Sequence, residues 1–217
     1  MRHLARAAAI ALAVLPAPAL ASDEAFELWF NPTFATDLDD NTQLELETAQ
    51  RFRDADDGRP DTYYGRLWVN QKVSDALTVS GAVERRINDG DADETRIMQQ
   101  FSTRHGAFNT RVRLEQRFVD DTGRMGLRLR TRVGAGVPLG PDSPWSLEGN
   151  AELFTTIAST SRGGQDGLTG LRTTAGFTFD ASDNVTLTLK YLRQQDFVRG
   201  GGDQVGHAPL IGVDFSF

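Results

Sequence analysis

The sequence predicts an all-β fold, a transmembrane antiparallel up-and-down β-barrel in which twelve strands are favoured over ten. Three observations lead there: an amino-terminal segment typical of export, a long series of alternating apolar and polar residues, and an apolar final strand ending on an aromatic residue. Successive strand residues point to opposite faces of a sheet. A membrane barrel turns its apolar face to lipid and its polar face to the lumen. The mean hydropathy of −0.38 therefore does not argue against membrane insertion.

Residues 1–21 have the composition of a secretory signal peptide. Two arginines precede an apolar run from Ala7 to Leu15, and a small-x-small triplet ends at Ala21. The run is too short to cross a bilayer, which takes about 20 apolar residues. We therefore expect cleavage between Ala21 and Ser22, leaving residues 22–217 as one barrel domain.

Eleven segments of the mature chain carry apolar residues at every second position. A soluble β-sandwich would also alternate, but its strands are usually about five or six residues long. Tilted strands need about 9 to 11 residues to cross a bilayer, and most of these segments have that length. In chain order they are Ala25–Asp37, Gln43–Arg53, Tyr63–Val73, Leu77–Ile87, Thr95–Arg104, Phe108–Phe118, Met125–Val137, Trp145–Ile157, Leu171–Phe179, Val185–Tyr191 and Ile211–Phe217.

Each segment is assigned from the parity of its apolar residues. In the first four these are Phe26, Leu28, Phe30 and Phe34; Leu44, Leu46 and Phe52; Leu67, Val69 and Val73; and Leu77, Val79, Val83 and Ile87. In the next four they are Ile97 and Phe101; Phe108, Val112, Leu114 and Phe118; Met125, Leu127, Leu129, Val133 and Val137; and Leu147, Ala151 and Leu153. The opposite parity carries mostly arginine and glutamate, as a charged lumen requires.

The closing segment sets the predicted topology. Four apolar residues, Ile211, Val213, Phe215 and Phe217, alternate with glycine, aspartate and serine and are expected to face the membrane. Bacterial single-chain barrels have even strand numbers, so eleven segments imply either that one strand is missed or that one of these segments does not span the membrane. Closure requires the first segment to pair with this last one.

Connection lengths indicate which end of the barrel faces outward. With the last strand ending at the periplasmic rim, the longer connections fall outside, and these are Asp54–Asp61, Asp89–Asp93, Ser159–Gly167 and Gly200–Gly206. The shorter connections fall on the periplasmic side, and these are Ser74–Ala76, His105–Ala107 and Asp180–Asn184. This asymmetry is typical of outer-membrane barrels.

Four motifs of the middle segments resemble those of a known family. They are Glu94-x-Arg96-x-x-Gln99-Gln100, Arg111-x-Arg113-Leu114-Glu115-Gln116-Arg117, Arg128-x-Arg130 and Asn150-Ala151-Glu152-Leu153-Phe154. The chain is similar, from about Phe26 to Phe217, to the bacterial family catalogued as domain of unknown function 2490. The resemblance implies an exported barrel of the Gram-negative outer membrane, in contact with its lipids and lipopolysaccharide and inserted by the barrel-assembly machinery. It implies no activity and no catalytic residues.

Arginines form the most prominent cluster of candidate functional residues. Six arginines share the lumen parity of two adjacent segments and form a basic track: Arg111, Arg113, Arg117, Arg128, Arg130 and Arg132. Arginine stays charged and binds carboxylates through a planar fork, so a narrow, porin-like channel for small acidic solutes is one hypothesis. Seven acidic residues share the lumen: Glu45, Glu47, Glu84, Glu94, Glu115, Glu148 and Glu152. Pairing between the two sets would instead give a sealed, structural barrel.

An enzyme is the alternative from another class. A hydrolase or acyltransferase at the rim would use a histidine as its base, and the mature chain offers His105 in an inner turn and His207 beside Asp203 in an outer loop. A loop histidine with a neighbouring acid is the simpler interpretation, because geometry defines a catalytic site. No catalytic residue is assigned.

Composition excludes several other classes. The chain has no cysteine and a formal net charge of −7, which argues against a disulfide scaffold and against nucleic-acid binding. The Asp89-x-Asp91-x-Asp93 run lacks the glycine and bidentate glutamate of a calcium loop. No metal or cofactor is predicted, and the sequence indicates neither an oligomeric state nor a particular solute.

Overall fold

The computed structural model describes residues 23–53 and 60–217, and these form eleven strands. The predicted signal peptide, residues 1–21, and its cleavage site between Ala21 and Ser22 lie outside the described residues. No helix in the described part of the chain is long and apolar enough to cross a membrane. The strands are β1 (Asp23–Asp37), β2 (Thr42–Arg53), β3 (Thr62–Ser74), β4 (Leu77–Asn88), β5 (Glu94–His105), β6 (Phe108–Val119), β7 (Met125–Pro138), β8 (Trp145–Ala158), β9 (Gly167–Ser182), β10 (Val185–Asp196) and β11 (Gln204–Ser216).

The strands close into a single barrel in chain order. Consecutive strands pair antiparallel, whereas β1 and β11 pair parallel, with Phe34 opposite Phe215. The prediction of twelve strands, or ten, was wrong, because the described chain closes with eleven. In an up-and-down barrel of odd number the first and last strands run the same way, so a parallel ladder completes the ring. The backbone N–H of Phe217 extends this seam by donating to the Ala35 carbonyl oxygen over 2.9 Å.

Three strands extend beyond their predicted bounds at one end. β9 begins at Gly167, β10 continues to Asp196 and β11 begins at Gln204, several residues outside the apolar alternation. Glycine and glutamine interrupt the alternation there, yet the backbone ladder continues, with Gln194 opposite Gly206. Hydrogen bonding between backbones therefore defines these ends rather than side-chain polarity.

Two rims differ in the length of their connections. Of the described residues, the long-loop end carries 60–61, 89–93, 120–124, 159–166 and 197–203 outside the strands, and the short-turn end carries 38–41, 75–76, 106–107, 139–144 and 183–184. In the first short turn, the backbone N–H groups of Asn41 and Thr42 each donate to the Asp39 carboxylate over 2.9 Å. These hydrogen bonds, that from Asn41 foremost, hold the pKa of Asp39 below its usual value.

Polarity is inverted relative to a soluble globular protein. Apolar side chains point outward and stay exposed, for example Val83 at 56% and Leu189 at 60%, whereas the carboxylates of Glu84 and Glu115 are fully buried inside. Two small apolar clusters also lie in the interior. They comprise Trp29, Leu192 and Ala208 in the first, and Trp68, Ala82 and Met98 in the second.

Candidate functional site

The six arginines of the predicted basic track all lie on the interior face of β6 and β7. Their strands pair so that Arg111 lies opposite Arg132 and Arg113 opposite Arg130, while Glu115 lies opposite Arg128. Opposed residues of neighbouring strands have Cβ atoms about 5 Å apart. The register therefore brings like charges together, and these charges need acidic partners from other positions.

Two glutamates neutralise the centre of this track. The Glu115 carboxylate binds Arg128 Nη2 at 2.5 Å and Arg130 Nη1 at 2.8 Å, and the Glu152 carboxylate binds Arg130 Nη2 at 2.6 Å and Arg111 Nη2 at 2.5 Å. Arg130 thus bridges two buried carboxylates across β6, β7 and β8. We call these five residues the central lattice.

A second group of ion pairs lies beside the central lattice on β3, β4 and β5. Glu84 pairs with Arg66, with Arg86 Nη2 at 3.1 Å and with Arg96 Nη1 at 3.3 Å. Glu94 joins Arg96 Nη2 over 2.5 Å. Removing one partner from such a buried ion pair is strongly destabilising, because it leaves behind a charge that the pair had compensated.

Two further pairs complete this second group. Glu94 Oε1 accepts from Arg117 Nε over 2.5 Å, and Glu47 Oε2 accepts from Arg66 Nη1 over 2.6 Å. With these pairs, five of the seven predicted acids are bound to arginine, namely Glu47, Glu84, Glu94, Glu115 and Glu152.

The remaining predicted acids lie toward the short-turn end and have few arginine partners. The Glu45 carboxylate accepts from Asn70 Nδ2 over 3.1 Å, and the Glu148 carboxylate binds Lys190 Nζ at 2.6 Å. Asp214, which was not among the predicted site residues, lies at the same end of β11. This half of the interior is acidic.

Four interior arginines have no carboxylate within ion-pair distance among the residues that the structure describes. Two belong to the predicted track, Arg113, which donates to Gln100 Oε1 over 2.8 Å, and Arg132. The other two, Arg51 and Arg172, were not singled out from the sequence. Their position on the polar parity of β2 and β9 was the available signal.

Arg51 and Arg172 lie over the same indole ring. The guanidinium carbons of Arg51 and Arg172 lie 3.7 Å and 4.8 Å from the Trp29 ring centroid. Arg172 Nε also donates to Gln194 Oε1 over 3.0 Å, and Gln194 Nε2 donates to the Asp196 carboxylate. Cation–π contact stabilises a guanidinium by about 0.5–2 kcal/mol. It does not neutralise the positive charge, so each guanidinium can still bind an anion.

Two adjacent cavities open toward the long-loop end. One of about 310 Å³ is lined by seven arginines and a single carboxylate, that of Asp196. The other, of about 430 Å³, lies against Trp29 and Glu27. Both are lined by Arg51, Gln194 and Asp196, so they form one widened vestibule. Its wall is predominantly cationic.

The predicted membrane-facing residues of the closing segment lie on the outside of the barrel. Ile211 is 39% exposed and Phe217 is 76% exposed, and Val213 and Phe215 share their parity and are half-buried. Phe217 follows the last residue of β11 rather than lying within it. The Phe215 ring stacks on Phe34 of β1 with centroids 5.1 Å apart, so this face also covers the seam.

The histidine considered for an enzymatic site does not meet its expected partner. His207 lies within β11 rather than in a loop, and its Nδ1 hydrogen-bonds the Tyr191 hydroxyl. The Asp203 carboxylate instead accepts from Gln195 Nε2 over 2.6 Å. Strand pairing separates the two side chains, because residues four apart on an extended strand are about 13 Å apart. His105 is exposed at the opposite, short-turn rim.

Within residues 23–53 and 60–217, no group of three or more histidine or acidic side chains has an arrangement that could hold a metal ion.

Comparison with known proteins gives similarity to solved structures and to one family. The chain is similar to a solved structure described as KdgM porin, with 8% sequence identity and a TM-score of 0.47 over 78% of this chain and 91% of that chain. No curated protein matches. The family model described as "Protein of unknown function (DUF2490)" matches residues 26–205, which include the four motifs noted in the sequence. The chain therefore belongs to the family of proteins of unknown function DUF2490.

Proposed function

We propose that the protein is a bacterial outer-membrane barrel whose Arg/Glu-lined interior forms a narrow channel for small acidic solutes. In this proposal residues 1–21 direct export and are removed, and residues 22–217 are inserted by the barrel-assembly machinery. The barrel then contacts outer-membrane lipids and lipopolysaccharide.

The outward apolar surface supports membrane insertion. Side chains from β3 to β10 remain exposed around the wall, among them Leu67 at 49%, Phe101 at 54% and Val133 at 61%. Soluble monomers rarely expose contiguous apolar patches above about 300–600 Å². Lipid chains would cover this surface, and buried glutamates and arginines would remain out of contact with them.

The observation that carries the proposed solute class is the set of four interior arginines without a carboxylate partner. Arg51, Arg113, Arg132 and Arg172 leave the described interior with positive charge that its own acids do not neutralise. A partly desolvated guanidinium attracts carboxylate or phosphate oxygens more strongly than it would in water. Small anions are therefore the solutes that this interior attracts.

Planar-bilayer recording on the refolded mature barrel tests the proposal. We expect small discrete conductance steps with a reversal potential that indicates preference for anions. Replacing the two unpaired track residues, in an Arg113→Gln/Arg132→Gln double variant, removes charge without breaking an ion pair and should reduce that preference severalfold. The matched control is Arg199→Gln, because that side chain is 73% exposed at the rim.

Two outcomes would contradict the channel. Folded protein that never conducts would exclude it, and a preference for cations would exclude the proposed solute class. Folding of each preparation is checked by circular dichroism and by the heat-dependent mobility typical of barrels.

A sealed structural barrel is the second candidate, because apolar side chains obstruct the interior. Met98 and Leu192 are 1% and 2% exposed, and each lies in one of the two interior clusters. If these clusters close the path, conductance is absent from the wild type. Replacement by smaller residues, in a Met98→Ala/Leu192→Ala variant, then creates conductance, whereas a channel already open would only widen.

A further inference from the structure

The most unusual part of the vestibule is the contact of two guanidinium groups with one indole. Arg51 comes from β2, Arg172 from β9 and Trp29 from β1, so the arrangement exists only in the closed barrel. The Trp29 indole N–H donates to Glu27 Oε2 over 2.5 Å, which fixes the ring edge. The ring face is therefore held in position for both cations.

The other arginines of the cavity differ from these two because each already binds glutamate. Arg86 and Arg96 pair with Glu84, and Arg128 and Arg130 pair with Glu115. Their remaining N–H donors still face the cavity, but their charge is largely compensated. The uncompensated charge is concentrated at Arg51 and Arg172.

Neither of these two side chains has its hydrogen-bonding capacity met. The Nε atom of Arg51 is buried without an acceptor in the described chain, and Arg172 has only the amide oxygen of Gln194. Burying an N–H donor without an acceptor is destabilising, and more so when the group is charged. An anion bound between them would supply the missing acceptors.

The size and polarity of the cavity limit the ligand. Its volume of about 310 Å³ is at the lower end of the range for small-molecule pockets, about 300–1,000 Å³. Two planar forks can each contact two oxygens of the same ligand. A compact solute with two negative charges on oxygen satisfies both.

We infer that Arg51, Arg172 and Trp29 form a binding site for a small dianionic solute, carrying either a phosphate monoester or two carboxylates, that enters from the long-loop end. The inference rests on the proposed function for the idea that acidic solutes enter the barrel. It adds a specific binding site to a lumen that the proposed function describes only as attractive to anions in general.

Titration calorimetry on the refolded barrel in detergent tests this site directly. The probes are methyl phosphate and succinate at constant ionic strength, with acetate as the monoanionic comparison. We expect saturable binding of at least one dianion and at least tenfold weaker binding of acetate. Comparing the affinities for methyl phosphate and succinate shows whether the two guanidinium groups prefer a phosphate or two carboxylates.

Variants then locate the site. Arg51→Gln and Arg172→Gln should each weaken dianion binding at least tenfold. Arg51→Lys keeps the charge but loses the fork, so it should lie in between. Arg193→Gln is the control, because Arg193 lies on the opposite parity of β10 and donates to Gln195.

The pH dependence of methyl phosphate binding provides a measurement that needs no variant. The second pKa of a phosphate monoester is about 6 and arginine stays charged throughout this range. The ligand is therefore mostly a monoanion at pH 5 and a dianion at pH 8, so the affinity should rise as pH rises across that interval.

The inference is overturned if wild-type protein binds no dianion saturably, or if Arg51→Gln and Arg172→Gln bind as the wild type does. It fails separately from the channel. Dianion binding that depends on Arg51, without conductance, would exclude the channel and keep the site. Anion conductance without saturable binding would keep the channel and exclude the site.

Discussion

The two halves of the barrel interior carry opposite excess charge. Toward the long-loop end the smaller cavity of the vestibule is lined by seven arginines and one aspartate. Toward the short-turn end Glu45, Glu148 and Asp214 share the interior with Lys190, which binds Glu148. The central lattice lies between the two halves, and there every arginine is bound to a glutamate.

This difference shows that interior charges have two roles in the barrel, one in stability and one in the electric field of the lumen. Matched pairs in the centre cross-link β6, β7 and β8 and need exact partners. Unmatched charges at the two ends hold no strands together, but they set the sign of the electric field along the axis. Substitutions in the centre should therefore affect stability, and substitutions at the ends should affect which ions enter.

The largest effect is expected from Arg130→Leu. Losing this bridge leaves Glu115 and Glu152 without one of their cations, and both carboxylates are buried. Breaking a buried ion pair on one side costs about 3–5 kcal/mol. The free energy of unfolding, from urea titration in lipid vesicles, should fall by that amount.

Arg132→Leu is the matched control for that variant. It lies two residues further along the same face of β7 and pairs with no carboxylate in the described chain, so its replacement should leave stability unchanged or slightly raised. Equal losses for Arg130 and Arg132 would contradict the distinction between arginines that are bound to glutamate and arginines that are not.

Paired glutamate variants give the next largest difference. Glu115→Gln removes the charge that compensates Arg128 and Arg130 and should lower the free energy of unfolding by about 1.5–3 kcal/mol, the range for hydrogen bonds to charged groups. Glu45→Gln keeps the acceptor for Asn70 and removes charge from an already acidic region. It should be neutral or stabilising, and a loss comparable to that of Glu115→Gln would refute an acid excess at the short-turn end.

A smaller effect is expected from Lys190→Met. This change removes the cation bound to Glu148, whose side chain is 39% exposed, so solvent screens the remaining carboxylate. We expect destabilisation of about 1 kcal/mol or less by urea titration. A loss as large as that of Arg130→Leu would mean that the pair belongs to the structural lattice.

The smallest effect concerns the current–voltage curve of single channels. A cationic entrance opposite an acidic exit should make anion current depend on the sign of the voltage. The double variant Glu45→Gln/Asp214→Asn should reduce this rectification by less than twofold. Its reversal potential should still indicate a preference for anions. A symmetric wild-type curve would show that the two ends do not act separately on permeating ions.

Sequence alternation predicted the course of the chain well where arginine occupies every second position. The apolar parity of β6 and β7 specified these strands within one or two residues, because a slip of one residue would turn every charge to lipid. The ends of β9, β10 and β11 were missed, because residues such as Gln195 and Gly206 lack that alternation and pair only through their backbones.

Partner choice inside the barrel depends on register, which alternation does not specify. Arg113 is flanked by Arg130 and Gln100 across its two neighbouring strands, so it meets no acid. Arg130, directly opposite on the adjacent strand, binds two glutamates. The contact of Arg51 and Arg172 with Trp29 joins strands far apart in sequence and follows only from closure. The strand number was wrong for a similar reason, because parity rules assume antiparallel closure.

The parallel seam between β1 and β11 has a consequence for orientation. Asp23 lies at the long-loop rim and Phe217 at the short-turn rim, because the described chain passes from one rim to the other an odd number of times. A reporter joined at one end and a second joined at the other would stand on opposite faces of any membrane that holds the barrel. One doubly labelled protein would thus report both surfaces at once, which a barrel with an even number of strands cannot do.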